Sequence, residues 1–238
     1  MKNIHFVNRD AGEVFFSVIC PVYNSKIFLE KTFDCLIKQT FKNFEVIFID
    51  DCSTDSSLEE LKSRSERSGL NIKIIENKRN LGAGASRNKG LLESKGEWLA
   101  FLDSDDFWIN DKLQKCKDVI DNNLTINLVS HDEFKIKDGV IIGSLNYSEK
   151  NKRYPFTPRR LYWTNYFSTS ATILKKSIIK SHLFQTSLRS CQDYEFWLRL
   201  SKNLKPYFIS NKLGYYRVHK NNITSGPVLK RLINELRV

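Results

Sequence analysis

Four apolar stretches in the first half of this 238-residue chain each run into a polar cluster, and this repetition constrains the fold more than any other feature. Val14–Cys20 leads to Pro21-Val22-Tyr23-Asn24, and Glu45–Ile49 leads to Asp50-Asp51-Cys52-Ser53-Thr54-Asp55. Ile72–Ile75 is soon followed by Asn80-Leu81-Gly82-Ala83-Gly84, and Trp98–Leu102 leads to Asp103-Ser104-Asp105-Asp106. Read as strands, all four end in chemistry. In open α/β sheets ligands bind beyond the carboxyl ends of the strands, so the four clusters should converge on one site. Three or more carboxylates there invite a divalent cation, and a cation bridging carboxylates to phosphates is one way to hold a nucleotide.

Helical patterns separate the strands. Phe28, Leu29, Phe33, Leu36 and Ile37 recur at helical spacing after the first. After the second, Asp55 is placed to cap a helix with Glu59 and Glu60 in its first turn and Gly69 closing it. A third helix is predicted from near Ala83 to near Gly96, and a fourth from Asn110 or Asp111. The alternation predicts an α/β fold, a mostly parallel sheet with helices on both faces.

From about Asn127 the pattern changes. Leu128–Phe134 and Val140–Ile142 flank Lys137-Asp138-Gly139, a hairpin turn signal. Tyr154–Pro158 reads as loop, Arg159–Tyr166 as a short aromatic helix and Thr172–Leu174 as a strand. Asp193–Leu200 reads as a helix, Tyr207–Ile209 and Leu213–Val218 as two final strands, and 220–238 as a tail with a basic amphipathic stretch. With no repeat and no linker, the chain is expected to be one domain, 1–238. Its nucleotide-side half is about 14–125, and about 126–238 is a mixed α+β elaboration.

Charge divides along the same line. Residues 1–143 carry a net −3, and residues 144–238 carry +14, with Glu149, Asp193, Glu195 and Glu235 as the only acids there. The basic half is either a solubilising surface or a contact for an anionic membrane face or a phosphate-bearing acceptor. No helix-turn-helix, zinc-finger or RNA-binding signature points to nucleic acid. No apolar run nears the ~18 residues of a membrane span. Arg9, Asp10 and Glu13 stand where a signal peptide needs apolar residues. The five cysteines show no metal or disulfide spacing, so a reducing cytoplasm is expected.

Among the motifs, Asp103-Ser104-Asp105 is the strongest. Two carboxylates at i and i+2 repel without a cation, and a metal would also neutralise a leaving diphosphate; the plain alternative is a turn, with Asp106 as a helix cap. Asp50 and Asp51 need donors, either a ligand's N–H and hydroxyl groups or the amides of the next turn. Gly82-Ala83-Gly84 with Arg87 beyond it suits phosphate binding or a tight strand-to-helix turn. Asp193 opens a helix, where a carboxylate is ordinarily a cap. His219, taken alone, reads as a surface histidine. Trp163, Tyr166 and Phe167 suit a sugar pocket or the core.

In their order and spacing these stretches, with Ser86-Arg87-Asn88-Lys89-Gly90 and Gly96-Glu97-Trp98, resemble the family 2 glycosyltransferases of the GT-A fold, over roughly Phe16 to Thr224. The resemblance implies that Pro21, Val22, Tyr23, Asn24, Asp50 and Asp51 hold the base and ribose of a nucleotide-sugar, usually a UDP-sugar. It implies Asp103 and Ser104 on the ribose side, Gly82 and Arg87 near the base or diphosphate, and Asp105 on Mn²⁺ or Mg²⁺. Asp193 matches the family's catalytic base in an inverting transfer. Arg217, His219 and Trp163 are candidates for diphosphate or acceptor contacts. The acceptor would be a glycan or lipid-linked sugar of a surface polysaccharide pathway, such as lipopolysaccharide or capsule, with peripheral attachment to the cytoplasmic membrane face. Two departures stand out: Cys52 where the family has glycine, and Gln192 where an acid often precedes the base. A haloacid-dehalogenase-type phosphatase would place its Asp-x-Asp after the first strand, and a nucleotidylyltransferase would place glycines there. The remaining rival is a nucleotide-sugar-binding protein without turnover.

Overall fold

The computed structural model describes residues 4–7, 13–180, 182–188 and 190–220. The basic stretch read in 221–238 therefore lies outside the described residues. Strands are β1 (Ile4–Val7), β2 (Phe16–Val22), β3 (Phe44–Asp50), β4 (Asn71–Glu76), β5 (Trp98–Phe101), β6 (Phe107–Trp108), β7 (Leu128–Lys137), β8 (Val140–Leu145), β9 (Thr172–Lys175) and β10 (Pro206–Arg217). Helices are α1 (Lys26–Ile37), α2 (Ser57–Ser68), α3 (Ala83–Glu93), α4 (Lys112–Asn122), α5 (Tyr147–Arg153), α6 (Pro158–Leu161) and α7 (Gln192–Leu200).

The described strands form one sheet in the order β1-β4-β3-β2-β5-β9-β7-β10-β6, with β8 beside β7. Its first half, β4-β3-β2-β5, is parallel. β9 runs antiparallel to both β5 and β7, β10 runs parallel to β7, and β6 is antiparallel to β10. The sheet is thus parallel where strands alternate with helices and mixed beyond, because β9 lies between β5 and β7 and reverses the direction.

β2 and β3 are buried along their whole length, which is why they read as unbroken apolar runs. Their alternate residues serve two cores. Val18, Cys20, Val46 and Phe48 pack with Phe33, Leu61, Leu113 and Cys116 from α1, α2 and α4. Ile19, Ile47 and Ile49 pack on the other face with Leu91 of α3 and Phe196, Trp197 and Leu200 of α7. A Cβ on Gly90 would lie 2.5 Å from Ile19 Cγ2 and 3.0 Å from Ile49 Cδ1, so glycine there lets α3 sit against the sheet.

Several expectations are corrected. The first strand runs two residues further than Val14–Cys20 and includes Pro21. Its β5 ladder ends at Ile19–Phe101, so the N–H that proline lacks would face beyond that ladder and costs no strand pairing. The two final strands are one, β10, in which shifts of register between Ile209 and Gly214 absorb the polar residues that suggested a break. The aromatic helix spans only Pro158–Leu161; Asn165 Oδ1 accepts the Phe167 N–H at 3.0 Å in an Asx turn incompatible with a helix to Tyr166. β1, β6 and α5 were not anticipated. The hairpin formed as read, with Asp138 (φ 48°) and Gly139 (φ 82°) in its two-residue turn.

Candidate active site

A cleft of about 940 Å³ lies beyond the carboxyl ends of β2, β3 and β5. Its wall brings together Pro21, Val22, Tyr23, Asn24, Asp51, Arg87, Asp103, Ser104, Asp105, Asp193 and His219. Asp50, Gly82, Arg217 and Trp163 are not on it.

The strand ends are knitted to one another before any ligand arrives. Asn24 has left-handed backbone (φ 48°), and its side-chain oxygen accepts the Thr54 N–H at 2.8 Å. Both adjacent aspartates take the plainer of the two duties expected of them and accept protein N–H groups. Asp50 accepts the Ser53 N–H at 3.1 Å and turns away from the cleft. Asp51 accepts the N–H groups of Leu81 at 2.9 Å and Gly82 at 2.7 Å, with the Asn77 amide at 2.6 Å. Asp51 thus sets the loop that opens α3, and Gly82 lies behind it. Cys52 occupies the left-handed region (φ 62°), the physical reason glycine suits that position. Ser56, one residue later than expected, takes the N-cap position of α2, and Asp55 just before it accepts the Ser57 N–H at 2.9 Å.

Arg87 is buried and ion-paired with Asp103. Burial alone would lower its guanidinium, but the Asp103 charge outweighs that and raises it. Ser104 Oγ lies 2.8 Å from Ser25 Oγ, tying the fourth strand end to the first. Asp105 lies 2.8 Å from His219 Nε2, and its backbone oxygen accepts the Arg217 Nε–H at 2.7 Å. His219 is therefore not a surface histidine. It faces the carboxylate cluster and packs on Phe28 with ring centroids 5.0 Å apart. Arg217 lies behind the wall because its guanidinium sits over the Phe28 and Phe107 rings. Asp106 is no exposed cap: it is buried, accepting Ser170 Oγ–H at 2.6 Å and the Arg217 N–H at 2.8 Å.

Across the cleft, Asp193 stands in the first turn of α7 and accepts the Thr169 hydroxyl at 3.2 Å. Burial raises its carboxyl above the usual range, and the nearby Arg87 charge opposes that rise. Gln192 accepts the Gly84 N–H at 2.8 Å, so the start of α7 is bonded to the start of α3. A Cβ on Gly84 would lie 2.7 Å from that Gln192 oxygen. Thr169 and Ser170 carry no sequence signal, since neither belongs to a contiguous motif. Trp163 faces solvent, while Tyr166 is buried in the core beside Phe167, which also reaches the cleft wall.

Beneath the cleft lies a second polar group. Lys112 donates to the Ser170 carbonyl at 2.8 Å and sits 3.3 Å from the Trp108 ring centroid; burial lowers its amine to about 7. Burial raises Glu133 to about 7, against the lowering influence of Ser168 and of the Lys112 charge.

For a divalent cation the donor set is suitable but incomplete. Burial, then the Asp103 charge, raises the Asp105 carboxyl, a repulsion that a cation would relieve. Among the described residues no three His, Cys, Asp or Glu side chains gather into a metal site on their own. A Mg²⁺ or Mn²⁺ ion held here by one or two carboxylates would need further oxygen ligands from outside the chain.

The sheet order, the flanking helices and this cleft define a GT-A type α/β fold. The chain belongs to glycosyl transferase family 2, whose sequence profile matches residues 17–183. It is 30% identical, over 93% of its length and 84% of the relative's, to the UDP-Glc:alpha-D-GlcNAc-diphosphoundecaprenol beta-1,3-glucosyltransferase WfaP of Escherichia coli. Staphylococcus aureus TarS in complex with UDP-GlcNAc superposes with a TM-score of 0.76 at 26% identity, covering 90% of this chain and 62% of that one. The chain thus spans about three fifths of the TarS structure. The mannosyltransferase PcManGT of Pyrobaculum calidifontis, solved with GDP-Man and Mn²⁺, shares the fold with a TM-score of 0.68 at 18% identity, covering 90% of this chain and 61% of that one. No described helix is long and apolar enough to cross a membrane.

Proposed function

We propose that the chain is an inverting transferase that moves a sugar from a UDP-sugar to a hydroxyl of a glycan or lipid-linked acceptor in surface polysaccharide biosynthesis. The observation that carries this reading is that Asp193, raised by burial, shares one cleft with the strand-end carboxylates and Arg87. The names of WfaP and of the TarS complex supply the UDP-sugar and the diphosphoundecaprenol-linked acceptor as precedents.

In this reading residues 21–24 and Asp51 shape the wall for base and ribose, and Asp103 and Ser104 face the ribose. Asp50 acts through the Ser53 turn, and Gly82 through the loop that Asp51 fixes. Asp105 with His219 would hold Mn²⁺ or Mg²⁺, which when bound supplies charge neutralisation for the departing diphosphate. Asp193 takes the proton as the acceptor oxygen bonds to the anomeric carbon and the bond to the diphosphate breaks. Its hydrogen bond from Thr169 helps to orient the carboxylate. The chain is read as one domain, 1–238, working at the cytoplasmic face of a membrane, with the basic half toward the acceptor.

The test is a panel of nucleotide-sugars assayed for hydrolysis with and without Mn²⁺, beside UDP titrations of the wild type and Asp105→Asn. A UDP-sugar should be hydrolysed preferentially, and Mn²⁺ should tighten UDP binding in the wild type only. UDP affinity unaffected by EDTA would remove the metal, and preference for another nucleotide would remove the donor assignment.

A further inference from the structure

Between Glu149 and Asp193 the chain has nine Lys and Arg and no acid. Within it, residues 152–163 leave large aromatic rings in solvent. Trp163 is 85% exposed, Tyr162 65% and Tyr154 51%, and Lys152, Arg153, Arg159 and Arg160 are exposed among them.

These rings do not belong to a loose loop. The Tyr154 carbonyl accepts the hydroxyl of buried Tyr166 at 2.8 Å, and the Leu161 carbonyl accepts the Tyr194 hydroxyl at 2.6 Å. Leu161 is buried, and Phe156 packs edge-on against Tyr166 with centroids 5.7 Å apart. Thr157 caps α6 through the Arg160 N–H at 3.1 Å, and the Arg160 guanidinium bonds the Pro155 carbonyl at 2.9 Å. The segment is bolted to the core on one side and presents aromatic rings and guanidinium groups on the other. Two residues past Trp163 the chain enters the cleft wall at Asn165.

Trp and Tyr rings favour the membrane–water boundary, where apolar body and polar tip are both satisfied. Each Lys or Arg near an anionic leaflet adds roughly 1 kcal/mol, about fivefold in partition. We infer that the aromatic and basic face of residues 152–163 seats the protein on an anionic bilayer and brings the mouth of the cleft to the lipid surface. Attachment through this face is peripheral and reversible, because it rests on interfacial rings and exposed charges. The inference draws its purpose from the lipid-linked acceptor proposed above, but vesicle binding and UDP binding are measured separately, so either can fail alone.

The experiment is sedimentation of the full chain with phosphatidylglycerol-containing and with pure phosphatidylcholine vesicles. Wild type should pellet with the anionic vesicles at low salt, be released near ~0.5 M salt, where the screening length is roughly 4 Å, and ignore neutral ones. Arg159→Ala with Arg160→Ala should lower partition roughly 25-fold, and Trp163→Ala several-fold, with UDP affinity unchanged in both. Arg159→Lys with Arg160→Lys should keep wild-type partition. Removing two exposed charges elsewhere, Lys202→Ala with Lys205→Ala, should change it less than twofold. Wild type that ignores anionic vesicles overturns the inference, as do an equal loss from both alanine pairs and an undiminished Arg159/Arg160 variant.

Discussion

The two walls of the cleft are built by opposite means. On the parallel-strand side, polar residues come in runs of four to six at strand ends, and their carboxylates are set by backbone amides and by Arg87. On the mixed-strand side, Thr169, the Gln192-Asp193 pair of α7 and His219 come from separate elements, and burial is the main influence on the Asp193 carboxyl. The difference teaches that one wall is preset by bonds among its own strand ends, while the other is assembled from elements that only the fold brings together.

The strongest way to break this comparison is Asp193→Asn. Turnover should fall roughly 10²–10⁴-fold, the usual contribution of a general base, with UDP affinity retained. Because burial raises the carboxyl, the acidic limb of kcat/KM should lie above that of an exposed aspartate and vanish in the variant. Rates within a few-fold of wild type would take Asp193 out of the mechanism; lost UDP binding would move it to the donor wall.

Glu133→Gln sharpens the comparison through stability. The folded carboxyl sits at about 7 against an ordinary 4.5, so the folded state binds more protons between those values. Wild-type stability therefore falls as pH rises through that window and stays low above it. The glutamine variant should be up to about 3 kcal/mol more stable at pH 8 and equal to wild type at pH 4, as read by urea unfolding. An unchanged or lower midpoint at pH 8 would show that Glu133 is stabilised by its surroundings.

The smallest effect is expected where the two walls touch. Gln192→Ala leaves the Gly84 N–H without its acceptor and should cost about 1–2 kcal/mol of stability. If alanine is neutral in thermal unfolding, the walls are independent.

The preset wall was legible because its signals are contiguous: an apolar strand followed at once by Asp50-Asp51 or Asp103-Ser104-Asp105 is visible in a window of ten residues. Even there Pro21 misled the strand boundary, since its harmlessness depends on where the β5 ladder ends. The other wall was legible only in part. Asp193 was found through its resemblance to a family position, and nothing local marks His219 as the neighbour of a residue 114 positions earlier. Thr169, a lone hydroxyl in a loop, has no periodicity or motif, so its place beside Asp193 is purely a tertiary fact.

The clasp of Arg217 and His219 on Asp105 also bears on how such chains can be recombined. The family profile ends at residue 183, yet the groups that hold the end of Asp103-Ser104-Asp105 lie more than thirty residues later. A chimera joined near that boundary would give one parent's aspartate the other parent's clasp. Exchange of second halves between relatives should therefore succeed only when the pairing of these positions travels intact, since 105, 217 and 219 act as one unit despite their distance along the chain.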